Sequence, residues 1–528
     1  MHNMKRQLSY PLALLYLMAA CTLQGCDKNL KEETYSTYDQ NTLTKPENGQ
    51  QAVVGAYAGL KDNGGYGYYA GFLYWLYEYP ADVVTTSPVS KQGVQLDQLT
   101  YDASNSIINN VWGSIFRLIS RTNEADALIN NIDYVNNGST AAIKNQHLGE
   151  VRFLRALAYF DATDLWGDVP LIRKPSSQFT TADMNPKLTS QAIIEDSMIT
   201  DLKFAKQYLP AGYPPAQIAR ATTGAASALL TRLYMRRGEW QNAADEAQTI
   251  IQSGQYDLRA VAEGGIQSLF YTDNRADNEF IFVLKSSSDP GAYTINSNSF
   301  GINSLPWDYN RGWGNFPIHL EFYALFDSAD DRKTLLTGIY KSLYGEVISV
   351  PKAYGGPGGS APDTVAATYV YNLKYPHINN YNYAGFNNVT ILRYADVLLM
   401  RAEALNEING PTQESIDLVN QVRNRSKLPN INLTDYATKQ QLRDKIFDER
   451  NLEFFMEGRR RDDLLRWGRS ATNGASPLSK FKTYVLPRLR DPNTYSDAVN
   501  YAVYPYPQSE LQANTSLTPS VNNGRVRQ

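Results

Sequence analysis

The sequence predicts a mainly helical protein, with a tetratricopeptide-like helical solenoid core supporting a loop-rich ligand-binding face with minor β. Two paired helical segments and one long irregular segment lead to that expectation. Residues 223–258 (TGAASALLTRLYMRRGEWQNAADEAQTIIQSGQYDL) carry Leu230 and Tyr234 ahead of Gly238, then Trp240, Ala243, Ala247 and Ile250. This is the small, aromatic and glycine spacing of a tetratricopeptide helix-turn-helix, in which small residues let paired helices approach. Residues 391–427 repeat the pattern, with Ala395, Leu399, Ala402 and Leu405 before Gly410 and Ile416, Val419 and Val422 after it. A single repeat cannot bury its own face, so two of them imply a solenoid. Between them, residues 286–390 are rich in Gly, Asn, Ser, Pro and Tyr. Disordered segments are poor in aromatics, so this run reads as an ordered, functional surface.

The first element is an address. Lys5 and Arg6 precede a short apolar run that ends in Leu23-Gln24-Gly25-Cys26. That is the form of a secretion signal closed by a bacterial lipobox, in which the Cys26 thiol is acylated and begins the mature chain. A polar stretch, DKNLKEETYSTYDQNTLTKPENG, follows as a tether. No later run approaches eighteen apolar residues, so the lipid is the expected attachment to the membrane. Helical spacing resumes at 49–60 and at 107–132, with Val111, Ile115, Leu118, Ile119, Ala125 and Leu128 on one face. Residues 149–171 form a further helix, stopped by Gly167 and Pro170, and residues 190–209 another, stopped by Pro210. The expected organisation is a signal peptide (1–25), a lipid-anchored tether (26–48), a helical region (49–285), a loop-rich insertion (286–390), and a C-terminal helical region with its tail (391–528).

Composition removes several function classes. The formal charge is −3, which supplies no field for nucleic acid or an acidic membrane surface. Both cysteines, Cys21 and Cys26, precede the body of the chain, and the four histidines are isolated, so no metal site and no cofactor is expected. No GxSxG, GxxxxGK[ST] or HExxH occurs, and enzymatic activity is not expected. The acidic and basic residues of IFDERNLEFFMEGRRRDDLLRWG (446–468) read as intrahelical ion pairs rather than an acid/base pair. Glu449, Glu453 and Glu457 lie one turn apart with arginines among them, whereas glycosidase carboxylates face one another across a cleft.

Tyrosine is in excess, with 37 Tyr against 18 Phe and 7 Trp, which suits half-wet surfaces. A sugar ring offers an apolar C–H face that an aromatic ring can cover, while its hydroxyls need polar side chains in place of water. Trp307, Tyr309, Asn310, Arg311 and Trp313 bring both chemistries into one stretch that Pro306, Gly312 and Gly314 keep from forming a helix. Trp112, Trp166, Trp240 and Trp467 lie in helical or helix-ending stretches and are expected in the core.

Six segments, in order, carry a family resemblance: the LQGC lipobox, FLRALAYFDATDLWGDVPLI (153–172), LLTRLYMRRGEWQNAADEAQTII, ILRYADVLLMRAEALNE, the 446–468 segment and YPYPQSELQANTSLT. Together they resemble the SusD-like (RagB/SusD) outer-membrane lipoproteins of Bacteroidetes. The resemblance implies a tetratricopeptide-like fold and the capture of a nutrient, usually a glycan, at the cell surface. It also implies a partner, a SusC-like TonB-dependent transporter over which the lipoprotein acts as a lid. By position it adds Trp75, Tyr77, Asp82 and Lys91 as candidates, since family members often build the glycan platform from the segment after the first helix and the central loop. The FLYWLY run around Trp75 alternates and reads equally as a half-buried strand. Peptide cargo within the same family, and a tetratricopeptide scaffold that binds protein on its concave face, are the alternative readings.

Overall fold

The computed structural model describes residues 43–61, 66–86, 90–214, 217–271, 276–286, 298–309, 312–342, 344–349, 369–376, 387–467, 479–489 and 502–517. Cys26, its signal and most of its tether lie outside the described residues, as do Asn310 and Arg311. Contacts divide the chain into Met1–Thr44 and Lys45–Gln528. The second unit contains every element discussed below.

Helix α1 (Pro46–Ala58) opens the unit and is followed by the short α2 (Phe72–Glu78). The FLYWLY run is therefore helical, and its residues from Leu73 to Glu78 are all buried. Next come α3 (Ser106–Asn131) and α4 (Ala141–Trp166), each with a polar N-cap. The Asn105 side chain accepts from the backbone N–H of Ile107 and Thr140 from that of Ile143, which satisfies donors that a helix start leaves unpaired. From His147 to Trp166 nearly every residue of α4 is buried, so this helix runs through the centre of the unit. Helix α5 (Gln191–Tyr208) packs on it, tied by Arg155, whose guanidinium donates to both oxygens of Asp201 at 2.8 and 3.0 Å.

The two repeats read from the sequence form as antiparallel pairs. Helix α6 (Thr223–Arg237) turns at Gly238 (φ 70°) into α7 (Trp240–Gln252), and α8 (Tyr394–Asn409) turns at Gly410 (φ 81°) into α9 (Gln413–Arg425). Helices α7 and α8 pack directly against each other, so the chain between them leaves the solenoid and returns to it. Alanines 243, 244 and 247 on α7, with Ala395, Ala402 and Ala404 on α8, are buried and allow the close approach. Helices α10 (Lys439–Glu453) and α11 (Arg460–Arg466) complete the set used here.

The intervening segment contributes the β structure. Strand β1 (Phe280–Leu284) pairs antiparallel with β6 (Val389–Arg393), closing the excursion at its base. Strands β2 (Ile318–His319), β3 (Leu336–Thr337) and β5 (Tyr369–Asn372) form a small sheet with β5 in the middle. Residues Ile339–Lys341, labelled β4, pair with Val347–Ser349 in a hairpin beside it.

The charges of residues 446–468 have a different arrangement from the expected one. Their pairing is mostly tertiary and buried. Arg450 on α10 reaches Asp396 on α8 and Asp463 on α11, and Arg466 forks onto Glu403. Glu453 accepts from Arg393 at 2.6 Å, from Arg332 at 3.2 Å and also from Arg425, while Glu457 takes Arg393 and Lys374. Spacing along a helix cannot reveal such pairs, because most of the partners arrive from other helices, strands and loops. Burial opposes the charge on Glu453, yet the surrounding guanidiniums hold its carboxyl far below the ordinary range.

Candidate functional site

The loop after the helix Ser299–Ser304 carries the sequence-predicted aromatics, and its shape follows from its residues. Pro306 ends the helical conformation, and Asp308 sits at φ 61°, which Asp tolerates better than most side chains. The backbone N–H of Tyr309 donates to Pro306 O at 3.1 Å, that of Gly312 to Tyr309 O at 2.8 Å, and that of Asp308 to Gly312 O at 3.1 Å. A Cβ at Gly312 would stand 2.2 Å from Pro306 O, so only glycine closes this turn. The returning segment then lies along the helix: Trp313 N donates to Ile302 O, Gly314 N to Leu305 O and Asn315 N to Asn303 O, at 3.1, 2.9 and 2.9 Å. Gly314 has φ 61° and passes so close to Trp307 N that a Cβ would come within 3.1 Å. The result is a fixed loop in which Trp307, Tyr309 and Trp313 each remain partly exposed.

Neighbouring segments add rings to it. Tyr66, 39% exposed, has its ring centroid 6.1 Å from that of Trp313, with the planes inclined by 32°. Its backbone carbonyl accepts from Phe72 N at 2.9 Å, which fixes Tyr66 to the start of α2. Tyr309 meets Tyr340 edge-on at 6.1 Å and packs with Tyr369 and Ile348 against the buried pair Tyr340 and Tyr371. Burial raises the Tyr309 hydroxyl pKa, and the nearby Tyr271 raises it further; burial alone does so for Tyr66. Both hydroxyls stay protonated at neutral pH and can donate as well as accept. Tyr271 is 40% exposed. Tyr66 and Tyr369 thus join the rings of the loop in one aromatic surface drawn from three segments of the chain.

Of the remaining sequence-predicted residues, three are corrected by burial. Trp75 lies in α2 with its ring edge-on to Phe72, Tyr79 and Phe316, at 5.9, 5.3 and 5.7 Å. It therefore supports the loop from below, since Phe316 follows residues 313–315 in the returning segment. Tyr77 donates to Asp161 Oδ1 at 3.1 Å, and Tyr68 and Tyr69 donate to the other oxygen at 2.6 Å each. Asp82 is gripped by Arg460 through two bonds of 2.6 and 2.7 Å. Burial works against its charge, and the guanidinium outweighs it, so the Asp82 carboxyl lies below its ordinary range. These three side chains are engaged inside the protein and present nothing to a ligand. Lys91 is exposed at the start of a short helix capped by Ser90, where its charge acts on Asp102.

Trp112, Trp166 and Trp467 are buried as expected, whereas Trp240 is half-buried at the first position of α7. Sequence reasoning missed Tyr66 and Tyr271. Tyr66 stood in the glycine-rich run GGYGYYAG, where glycines flanking a ring mark a loop rather than a helix, and that was the available signal. Among the described residues no three His, Cys, Asp or Glu side chains converge for a metal. No helix among them is long and apolar enough to cross a membrane.

The fold and this surface define a class: a helical-repeat protein whose loop excursion presents aromatic rings. Residues 50–235 match the family described as "Starch-binding associating with outer membrane", and residues 344–524 match the SusD family. The chain is 27% identical over 534 residues to the SusD-like protein P2 of Formosa agariphila, covering 96% of this chain and 98% of that one. It is 24% identical over 433 residues to the starch-binding protein SusD of Bacteroides thetaiotaomicron, covering 72% and 73% of the two chains. In fold it is similar to the surface glycan-binding protein A of Bacteroides uniformis, with a TM-score of 0.72 at 22% identity over 89% of this chain and 98% of that one. The chain belongs to the SusD/RagB family.

Proposed function

We propose that this protein is a non-catalytic, lipid-anchored outer-membrane binding protein that captures an oligosaccharide or polysaccharide and passes it to a SusC-like TonB-dependent transporter. The binding surface in this reading is Trp307, Tyr309 and Trp313, joined by Asn310 and Arg311 from the same loop and by Tyr66 and Tyr271 beside it. Membership of a family that includes starch- and glycan-binding proteins supports carbohydrate as the cargo class, and the lipobox at Cys26 supports attachment through lipid. The observation that carries the reading is the inclined pair Tyr66 and Trp313 on a loop that its own backbone bonds hold in shape. Rings fixed before the ligand arrives cost little ordering entropy, and partial exposure lets a sugar face reach them. Asp308 is the single carboxylate between residues 298 and 317, which fits binding rather than a two-carboxylate hydrolysis. An open platform leaves much of a glycan hydrated, so affinity is modest and release to a transporter is easy.

The test is retardation in affinity gels cast with a panel of polysaccharides, using Cys26→Ala protein to keep lipid out and a Trp307→Ala, Trp313→Ala double variant alongside. Retardation of the parent and not of the double variant supports the reading. Equal retardation of both moves the site elsewhere.

A further inference from the structure

A cavity of about 670 Å³ opens between α1 and β1, apart from the aromatic loop. Its walls are apolar, formed by Val53, Val54 and Leu60 on one side and Val283 and Leu284 on the other. That size falls within the range for small-molecule sites. Val54 stands at it 58% exposed, an apolar side chain left to solvent.

The charged residues described in the lining are all basic, beside the neutral polar Gln50, Tyr57 and Gln217. Lys61 contributes to the wall just past the end of α1, and only 8% of it is exposed. Its ammonium has no hydrogen-bond or ion-pair partner among the described residues. Lys285 and Arg220 line the cavity as well, and no Asp or Glu among the described residues does. Arg220 is already committed to Glu150, with Tyr57 donating to the same carboxylate, so that corner is neutral. The buried uncompensated charge is that of Lys61, whereas Lys285 is exposed to solvent. Burying an ammonium without a partner is costly, and a negative group brought to it removes that cost.

We propose that this cavity is a second ligand site, which takes a free monocarboxylate with an apolar body, its acid group pairing with Lys61 and its chain lying between α1 and β1. The one buried ammonium of the lining matches a single negative charge, and the flexible lysine stem lets the head group swing from beneath the surface to meet it. Nothing in this assignment uses the aromatic loop, so it stands or falls separately from glycan capture.

The experiment is a fluorescence titration of purified Cys26→Ala protein with 8-anilinonaphthalene-1-sulfonate, an apolar monoanion, and with its neutral counterpart N-phenyl-1-naphthylamine. The anionic probe is expected to bind at one saturable site and to be displaced by dodecanoate. Lys61→Met is expected to weaken the anionic probe about tenfold while leaving the neutral probe unchanged. Val54→Trp, which fills the mouth from an exposed position, is expected to exclude both, and the Trp307→Ala, Trp313→Ala variant to alter neither. Equal affinity of the anion for the parent and Lys61→Met overturns the proposal, as does binding that survives Val54→Trp. Displacement by a short-chain anionic phospholipid but not by dodecanoate overturns the carboxylate assignment.

Discussion

Tyr66 and Trp313 come from opposite sides of the solenoid sequence and stand with ring centroids 6.1 Å apart, inclined by 32°. The pair joins the glycine-rich run before α2 to the loop after Ser304, and α2 secures it from beneath. Tyr79 stacks on Phe316 at 4.5 Å and donates its hydroxyl to Asn315 O at 2.7 Å. The platform is thus a surface layer of rings resting on a buried layer.

Removing the outer ring alone tests that layering. Tyr66→Ala is expected to weaken retention on the cognate glycan by roughly two- to tenfold, the worth of one aromatic contact of about 0.5–1.5 kcal/mol. The far-UV circular dichroism stays that of the parent, because Tyr66 is not part of the core. Unchanged retention would remove Tyr66 from the site.

The loop's shape is expected to matter as much as its rings. Gly314→Ala places a Cβ at φ 61° and within 3.1 Å of Trp307 N, at a cost of about 1–2 kcal/mol. Glycan retention should fall although every ring is present, with a changed near-UV spectrum and an unchanged far-UV spectrum. A variant that binds as the parent does would show that the loop geometry is not required.

The charged segment 446–468 predicts a stability effect. Glu453→Gln leaves Arg393, Arg332 and Arg425 buried around a neutral group, so the loss on urea unfolding is about 3–5 kcal/mol. Because the Glu453 carboxyl is held far below its ordinary range, its contribution is present above the unfolded pKa and is lost only as pH falls through the folded one. An unfolding midpoint equal to the parent's at pH 7 would contradict the structural role.

Glu78 predicts the opposite dependence. It accepts from Gly458 N at 2.5 Å, but burial pushes its pKa up to about 7. A raised carboxylate pKa means that its stabilisation is complete below the unfolded value near 4.5 and is lost as pH rises through about 7. Glu78→Gln is therefore expected to be more stable than the parent at pH 8, by about 2 kcal/mol, with the difference vanishing at pH 4.5. Thermal melts of both proteins across that range check it, and a difference independent of pH would refute the assignment.

The helical pairs were legible because their periodicity and turn glycines are local: Gly238 and Gly410 both end helices where the spacing placed them. The loop was legible for the same reason, since Pro306, Gly312 and Gly314 exclude a helix without reference to anything distant. Trp75, Tyr77 and Asp82 misled because an aromatic or acidic side chain looks the same in sequence whether it faces water or a partner. Asp161 and Arg460, which engage Tyr77 and Asp82, lie far along the chain. The same non-locality concealed the partners of Glu453 and left Tyr66 unrecognised, because its significance is the later arrival of Trp313.

The most direct measurement of the central claim is calorimetric titration of the glycan selected by affinity gels into Cys26→Ala protein and into the Trp307→Ala, Trp313→Ala variant. The parent should show saturable heat at a modest Kd, and the variant, with an unchanged melting temperature, should show none. A variant that titrates with the parent's Kd would contradict the account, for the glycan would then be held by some other surface.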